Sequence, residues 1–309
     1  MQAHELQRQV ESYWNGKPCD SEFSHRRFLT REFFLDVECE RYRLQRHIPD
    51  LIDSINWSGK QVLEIGTGVG TDARRIVRSG GRYTGINVDR GSTLATETAL
   101  KAFGLEGTLE QCDATRIPFA DQSFDIVYTF GVLHHIPEVH LAMREIRRVL
   151  KDEGQVIAMV YNRTSVNYAI EIQLLRKLVV RLLSIPGLTE AFAAAGFPKD
   201  KLERHRDLAR RISRMSPDEW LSRNTDGPDN PYSRVYDEKE AAALFTDFEV
   251  TRQQVAFFNH EHWGPLGAAL PQSVRETLAR RWGWHRIIYA RRPAQKIAAF
   301  VPAQLRPAA

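Results

Sequence analysis

The sequence predicts an α/β fold in which a mostly parallel β-sheet is covered by helices on both faces. Short apolar runs alternate with segments of helical periodicity from Gly59 to Tyr161, and glycines follow several of them. Strands and helices that alternate at this spacing form parallel sheets, since each helix connects the end of one strand to the start of the next. The alternation stops after Tyr161 and resumes near residue 237, which predicts a helical insertion within the α/β unit.

Seven segments have the apolar, turn-bounded pattern of strands. Helical periodicity is clear after Val139, where Met143, Ile146 and Val149 fall on one face. The predicted strands cover residues 62–65, 83–88, 109–112, 124–129, 155–161, 248–257 and 286–290. The predicted helices cover residues 4–14, 31–55, 70–79, 91–103, 139–150, 237–245 and 271–282, with a helical region over 166–224.

Four parts of the chain follow from this order. A helical cap over residues 1–58 precedes a ligand-binding core over 59–165, which holds the first five strands. A helical insertion covers 166–235, and residues 236–309 return to the core with the last two strands. Because the insertion leaves the carboxyl end of the fifth strand, we expect it to cover the ligand site and to influence substrate choice.

The composition of the 309 residues is that of an ordinary globular protein, with 42% apolar and 27% charged residues. The net charge of +4 is a mild excess and does not indicate a nucleic-acid partner. Three widely spaced cysteines lack the spacing of a zinc site or a disulfide framework, so no metal is expected. The first residues lack the apolar core of a signal peptide, and charges interrupt the apolar stretch 166–185. We therefore expect a cytoplasmic protein without membrane spans.

A glycine-rich loop follows the first predicted strand, where residues 62–72 read VLEIGTGVGTD. Glycine lets the backbone turn sharply and lets a ligand approach without a Cβ in the way. The loop can serve a dinucleotide, another nucleotide with a cationic amino end, or only a tight turn. The third glycine comes one residue early for a dinucleotide fingerprint, and the acid before the loop would disfavour a pyrophosphate. The candidate ligand-binding residues here are Glu64, Gly66, Thr67, Gly68, Gly70 and Asp72.

Acidic residues follow the next two predicted strands. Asp89 comes 23 residues after Gly66, where a carboxylate can accept hydrogen bonds from both ribose hydroxyls. Asp113, followed by Ala114, comes after the third strand, where an acid suits the exocyclic amine of an adenine. These positions indicate a nucleoside ligand that extends across the edge of the sheet.

Four linked motifs over residues 60–161 resemble the class I S-adenosylmethionine-dependent methyltransferases. The glycine loop is followed by GINVD at 85–89, CDATRIPFADQSFDIVYTFGVLHHIPE at 112–138 and REIRRVLKDEGQVIAM at 144–159. The resemblance implies a Rossmann-like, seven-stranded sheet whose last strand is antiparallel. It also implies S-adenosylmethionine as the cofactor and S-adenosylhomocysteine as its product. The implied reaction is methyl transfer to an oxygen, nitrogen or carbon of a small molecule such as a metabolite or natural product.

The resemblance also implies roles for single residues. The loop glycines would line the methionine part of the cofactor, Asp113 and Ala114 would lie near the adenine, and Phe130 would lie beside the sulfonium. The ribose role falls on Asp89 or on Asn87, because the pattern after the second strand departs from the usual one of the family.

Candidate catalytic residues lie at the same edge of the sheet. Methyl transfer from a sulfonium is an in-line displacement, and a hydroxyl acceptor also needs a base. His134 and His135 follow the fourth strand, and imidazole titrates near neutrality, so either is a candidate base; a structural role is the alternative. Tyr161 ends the fifth strand, where it either contacts substrate or only ends the strand.

Other functions stay compatible with these motifs. A peptide or protein is a second substrate class, and a cofactor-binding protein without methyl transfer is a third hypothesis. A nicotinamide dehydrogenase is disfavoured by the glycine spacing. We expect a monomer or a homodimer.

Overall fold

The computed structural model describes residues 2–196, 199–209 and 211–293. Its strands are β1 Gln61–Ile65, β2 Arg82–Asn87, β3 Thr108–Gln111, β4 Phe124–Phe130, β5 Leu150–Tyr161, β6 Glu249–Ala256 and β7 His285–Arg291. They form one seven-stranded sheet in the order β3-β2-β1-β4-β5-β7-β6. The first five strands pair in parallel, whereas β7 runs antiparallel to both β5 and β6. This topology confirms the predicted α/β fold and its antiparallel last strand.

Helices connect the strands, and further helices form the segment before β1 and the segment between β5 and β6. The helices before β5 are α1 Gln2–Gly16, α2 Arg31–Leu44, α3 His47–Asp53, α4 Thr71–Arg78, α5 Arg90–Ala102 and α6 Val139–Val149. After β5, a π-helical run Asn167–Leu175 leads into α7 Arg176–Leu182, α8 Leu188–Ala194, α9 Lys199–Ala209 and α10 Pro217–Ser222. The remaining helices are α11 Glu238–Leu244, α12 Gly264–Ala269 and α13 Gln272–Trp282.

Two predicted helical stretches are divided in the structure. The stretch 31–55 breaks after Leu44, and Pro49 lies in the first turn of α3, where a missing N–H costs little. The insertion is helical as predicted but consists of short pieces. Gly187, which follows Pro186, has a left-handed backbone with φ of 83° and starts α8 in a new direction.

Alternate side chains of the central strands pack on opposite faces of the sheet. On one face, Leu63 and Val127 pack with residues of α6 and α11. On the other face, Val62 and Ile126 pack with α3, α4 and side chains of the insertion. Because β1 and β4 are covered on both faces, the open edge at their carboxyl ends is where a ligand site can form.

The N-terminal helices are fixed to the core by a buried arginine. Arg74 of α4 donates to the carbonyl oxygen of Phe34 at 2.9 Å and pairs with Glu38 at 2.9 Å. Its guanidinium also lies over the ring of Phe103, 4.5 Å from the centroid. These contacts join α2 to α4 and α5, so the cap packs beside the glycine loop.

The boundaries of the four predicted parts stay predictions. Residues 294–309 of the predicted C-terminal part, and 197, 198 and 210 of the insertion, lie outside the described residues. In the part of the chain that is described, no helix is both long and apolar enough to cross a membrane.

Replacing Ile146 by alanine should lower the free energy of unfolding by about 2–5 kcal/mol. Ile146 is fully buried between α6 and the sheet, so the truncation leaves a cavity. Leu94→Ala is the control, because Leu94 is 49% exposed and its truncation should cost less than about 0.5 kcal/mol. Urea unfolding measures both variants, and equal losses would contradict the described packing of α6.

Candidate functional site

A crevice of about 970 Å³, open to solvent, lies at the carboxyl ends of β1, β2 and β4. It is bordered by the glycine loop, the first turns of α4 and α5, and the N-terminal segment from α1 to Asp20. The structure therefore brings together most residues that the sequence analysis selected for a ligand. These lining residues are Glu64, Gly66, Thr67, Gly68, Asp72, Asn87, Asp89, Asp113, Ala114 and Phe130.

Only glycine fits at the first position of the loop. Gly66 has a φ of 77°, and a Cβ there would lie 2.2 Å from Cγ2 of Val132. Gly70 also has a left-handed backbone, but it does not line the crevice. A Cβ on Gly70 would lie 3.1 Å from the Cα of Thr96 in α5. The close packing of α4 on α5 therefore accounts for Gly70, and its contact with the ligand stays a prediction.

Asn87 lines the crevice and holds the glycine loop in place. Its Oδ1 accepts a hydrogen bond from the N–H of Thr67 at 2.8 Å, and its Nδ2 donates to Oγ1 of Thr67 at 2.8 Å. Asp89 begins α5, where its Oδ1 accepts from the N–H of Ser92 at 2.7 Å. Burial raises the pKa of Asp89, so an added hydrogen-bond donor would stabilise its charged form. Of the two ribose candidates, Asp89 is the better placed.

Two buried acids, Asp72 and Glu64, lie beside the loop, and of these two Asp72 pairs with a cation. Asp72 accepts from Nη2 of Arg41 at 3.0 Å, and Arg41 also pairs with Asp20. Glu64, only 3% exposed, accepts from the hydroxyl of Tyr83 at 2.5 Å. Burial and the nearby charge of Asp72 raise the pKa of Glu64 to about 8. The crevice therefore has an excess of acid that a cationic ligand group would stabilise.

A second cavity of about 820 Å³ adjoins the crevice. Its lining combines an apolar and aromatic floor with polar side chains. The insertion supplies part of this polar wall, and other parts of the chain supply Gln45, Asn259, His262 and His285. The side chains that border both cavities are Trp14, Cys19, Asp20, Arg41, Phe130 and His135, together with Gly131. The floor of the second cavity also includes Met159, Tyr161, Phe257 and Trp284, and its wall includes Asn167, Arg176, Asn224, Thr225 and Asp226. Two ligands bound in these spaces would therefore meet at the end of β4.

The two histidines after β4 occupy different environments. His134 is fully buried with both ring nitrogens lacking a hydrogen-bond partner, and burial holds its pKa well below the usual range. His135 borders both cavities. Its Nδ1 lies 2.8 Å from the carbonyl oxygen of Tyr232, and its Nε2 lies 3.4 Å from Oδ2 of Asp226. His135 is therefore the histidine that can exchange a proton with a ligand.

Asp226 connects His135 to Tyr161. The Tyr161 hydroxyl donates to Oδ1 of Asp226 at 2.5 Å, and Nδ2 of Asn230 donates to Oδ2 at 3.3 Å. Burial and the Asp226 charge raise the pKa of Tyr161 well above its usual range. The phenol therefore keeps its proton near neutrality and serves as a donor rather than as a base.

Residues 63–158 match the family model described as a methyltransferase domain. This segment is a methyltransferase domain. The match covers the crevice from β1 through β4 to most of β5, and it confirms the resemblance to the class I methyltransferases drawn from the same motifs.

Curated relatives of the methyltransferase domain have names that refer to different compounds or to none. Sterol 24-C-methyltransferase ERG6B of Gibberella zeae is 32% identical over 174 residues, which cover 52% of this chain and 45% of the relative. Methyltransferase GfsG of Streptomyces halstedii is 33% identical over 102 residues, or 32% of this chain and 37% of the relative. A ubiquinone biosynthesis O-methyltransferase of Maricaulis maris is 28% identical over 145 residues, which cover 45% of this chain and 53% of the relative. The chain spans about half the length, or less, of these relatives.

Solved structures share the fold over nearly the whole chain. Geranyl diphosphate C-methyltransferase from Streptomyces coelicolor A3(2) has a TM-score of 0.53 at 12% identity and covers 93% of this chain and 97% of its own. Magnesium protoporphyrin IX methyltransferase from Synechocystis has a TM-score of 0.52 at 13% identity, and the match covers 93% of this chain and 99% of that one. These likenesses show that the chain shares the Rossmann-like fold of these structures.

Sequence reasoning missed Asp226 as a site residue. Residues 225–231 are rich in glycine, proline and asparagine, so their composition is explained by turns alone. Asp226 is also far in sequence from the methyltransferase domain motifs, and only the folded insertion brings it to His135. No local signal distinguishes it from the nearby Asp229, which has a 68% exposed side chain.

Glu64 should make the free energy of unfolding fall as pH rises from about 4.5 to 8, because the folded protein holds the proton of this carboxyl more tightly than the unfolded chain does. The folded carboxyl keeps its proton up to about pH 8, whereas the unfolded one loses it near 4.5, so this contribution is complete below 4.5 and lost by about 8. Glu64→Gln lacks this contribution. The stability of the wild type relative to E64Q should fall across this range by at least about 1.4 kcal/mol, the equivalent of one pKa unit.

Urea unfolding at several pH values measures this difference. The exposed Glu106→Gln variant is the control, and its stability should follow that of the wild type at each pH. Parallel curves for the wild type and E64Q would show that Glu64 holds no such proton.

Proposed function

We propose that this protein transfers a methyl group from S-adenosylmethionine to a small-molecule acceptor. The observation that carries the proposal is the pair of adjoining cavities that meet at Phe130, Gly131 and His135. The crevice combines a glycine loop, buried acids and a carboxylate at the start of α5, whereas the second cavity combines an apolar floor with proton-accepting groups.

The residues of the crevice fit the parts of the cofactor. Glu64, whose raised pKa reflects an uncompensated buried acid, suits the cationic amino group, and the main chain of 66–68 suits the methionine portion. Asp89 suits the ribose, Asp113 the adenine amine, and Phe130 the sulfonium region. When bound, S-adenosylmethionine supplies the methyl group from its sulfonium and becomes the neutral thioether S-adenosylhomocysteine. The structures of two neighbours named above contain S-adenosylhomocysteine, which supports this choice.

The second cavity favours an uncharged acceptor with an apolar body. Trp284 and Tyr161 stack with ring centroids 4.3 Å apart and form part of the floor. The two arginines of the wall are compensated: Arg41 pairs with Asp20 and Asp72, and Arg176 donates to Glu171 at 2.6 Å. An anionic acceptor would therefore find no uncompensated arginine there. The relatives named for sterols and for ubiquinone biosynthesis support an apolar acceptor.

His135 is the residue that we assign as the base. A carbonyl oxygen can only accept, so Nδ1, 2.8 Å from the Tyr232 carbonyl, carries a proton. The neutral ring then presents Nε2 as the acceptor for a hydroxyl proton. Asp226, 3.4 Å from Nε2, stabilises the imidazolium that results, and the Tyr161 hydroxyl positions the Asp226 carboxylate.

Calorimetry should show binding of S-adenosylhomocysteine in preference to NAD. Gly66→Ala should weaken this binding at least tenfold, because its Cβ would displace Val132 and distort the loop. Gly104→Ala is a matched control: Gly104 also has a positive φ, of 65°, but its Cβ would meet nothing within 4 Å. Tighter binding of NAD, or an equal loss in both variants, would contradict the cofactor assignment.

Asp226→Asn should lower kcat by about 10²-fold or more with little change in KM, since general-base catalysis contributes about 10²–10⁴-fold. Release of S-adenosylhomocysteine is measured with a panel of phenols and hydroxylated polycyclic compounds. Part of the lost kcat should return at alkaline pH, where the acceptor hydroxyl ionises without help, and a purely structural defect would not recover in this way.

Two variants control this experiment. Asp226→Glu keeps the carboxylate and should retain more activity than D226N, whereas the exposed Asp229→Asn, in the same turn, should resemble the wild type. Unchanged turnover in D226N would contradict the role of Asp226. Absence of product with every acceptor would contradict the proposed reaction.

A further inference from the structure

The insertion carries an apolar outer surface. Eleven large apolar side chains are at least 40% exposed among the described residues, and six of them lie between residues 170 and 185. Single exposed apolar residues are common, but a cluster indicates an interaction surface. We call these six residues the apolar patch: Ile170, Leu174, Leu175, Leu178, Val179 and Ile185.

The helix that bears the apolar patch has two different sides. Ile170, Leu174 and Leu178 recur at four-residue spacing, which places them along one side of the helical run. Ile172 and Val180 of the same run are buried, and Trp220 donates from its Nε1 to the carbonyl oxygen of Ile172 at 3.2 Å. The run is therefore packed on the protein through its inner side, and the exposure of the apolar patch is a property of the folded insertion.

The inner side of the same helix forms a wall of the second cavity. Asn167 and Arg176 line that cavity. Glu171 lies between them and accepts from Nδ2 of Asn167 at 2.7 Å and from Nη2 of Arg176 at 2.6 Å. The surface that meets solvent and the surface that meets the acceptor are thus only one helix apart.

The chain segment that carries the apolar patch has more basic than acidic residues. The chain has no acidic residue between Glu171 and Glu190, but it has three basic ones, of which Arg176 is turned inward to Glu171. Arg181 is exposed and forms no ion pair with any described residue. Lys177 is partly buried: its Nζ donates to Oε1 of Gln173 at 2.7 Å and lies 5.8 Å from the ring centroid of Trp220, and it has no acidic partner in the described part of the chain.

We propose that the apolar patch docks on an anionic lipid surface. An apolar helix side flanked by lysine and arginine inserts into the boundary between headgroups and acyl chains, where anionic headgroups neutralise the cations. A second copy of the chain is a poorer occupant. In a two-fold dimer the patch would face a copy of itself, so the basic side chains of both copies would lie in one interface without acids to balance them.

Docking would place the wall of the second cavity at the lipid surface. An uncharged apolar acceptor dissolved in the membrane would then cross only a short distance of water to reach that cavity. This consequence rests on the proposed function, but the docking does not, because it depends only on the outer surface of the insertion.

Sedimentation with lipid vesicles tests the docking on the full chain. We expect at least tenfold tighter binding to vesicles with 30% phosphatidylglycerol than to pure phosphatidylcholine. The double variant Leu174→Glu, Leu178→Glu should lose at least tenfold in binding to the anionic vesicles. Replacing Lys177 and Arg181 by glutamine should weaken the binding to anionic vesicles only.

A matched control changes exposed leucines outside the apolar patch. Leu35→Glu with Leu94→Glu alters side chains that are 47% and 49% exposed, on α2 and α5, and should bind vesicles as the wild type does. Thermal unfolding and calorimetry with S-adenosylhomocysteine verify that each variant is folded, independently of the vesicle result.

Three results would overturn the proposal. One is absence of binding to anionic vesicles, and another is an equal loss in the control variant. The third is a wild-type dimer, seen by analytical ultracentrifugation, that the Leu174 and Leu178 substitutions convert to a monomer, since the patch would then be covered by a second copy. Vesicle binding without methyl transfer would leave the docking intact and reject only the proposed function.

Discussion

The ion pairs of Arg41 fix the N-terminal helices to the glycine loop, and this contact sets the relative position of the two cavities. Arg41 comes from α2, yet it pairs with Asp20 before that helix and with Asp72 in the first turn of α4. A cation placed between two nearly buried carboxylates compensates charges that would be costly to bury alone. The same side chain borders both cavities, so the N-terminal helices and the glycine loop are joined at the point where the ligands would meet. Glu64 forms no ion pair with a described residue, and its burial, together with the nearby charge of Asp72, raises its pKa.

Most of the fold could be predicted from the sequence, because its parallel strands are short apolar runs bounded by glycine and polar residues. Each of the seven strands lies close to its predicted position, whereas the helix over 31–55 was predicted too long, since helical spacing alone does not register the break before Pro49. The crevice was also predictable, because the family motifs occupy the ends of consecutive strands. His134 and His135 are neighbours in one short turn, and only the fold decides which side chain faces the cavities. Asp226 could not be found, because its role depends on a contact across 91 residues of sequence.

Three acidic side chains show how local surroundings give one residue type different roles. Glu64 is buried beside another acid and has only a phenol as donor, so its proton is held strongly. Asp89 caps a helix, where the N–H of Ser92 opposes the effect of burial. Asp226 receives a phenol and an amide and faces an imidazole, so it is bound on several sides without a permanent cation. These differences follow from neighbours that come from distant parts of the chain.

The charge balance of the insertion differs between its two sides. Inside, Glu171 compensates Arg176, and the amide of Asn167 satisfies the second oxygen of the same carboxylate. Such a wall presents polar groups to an acceptor but little net charge, and it would reject an ion that had to give up its water. Outside, Arg181 is exposed and lacks an acidic partner in the described chain, and exposed apolar side chains lie along the same helical run. An uncharged apolar compound is compatible with both sides of the insertion. In the cavity it needs no counter-ion, and at the outer surface it does not compete with anions for the basic side chains.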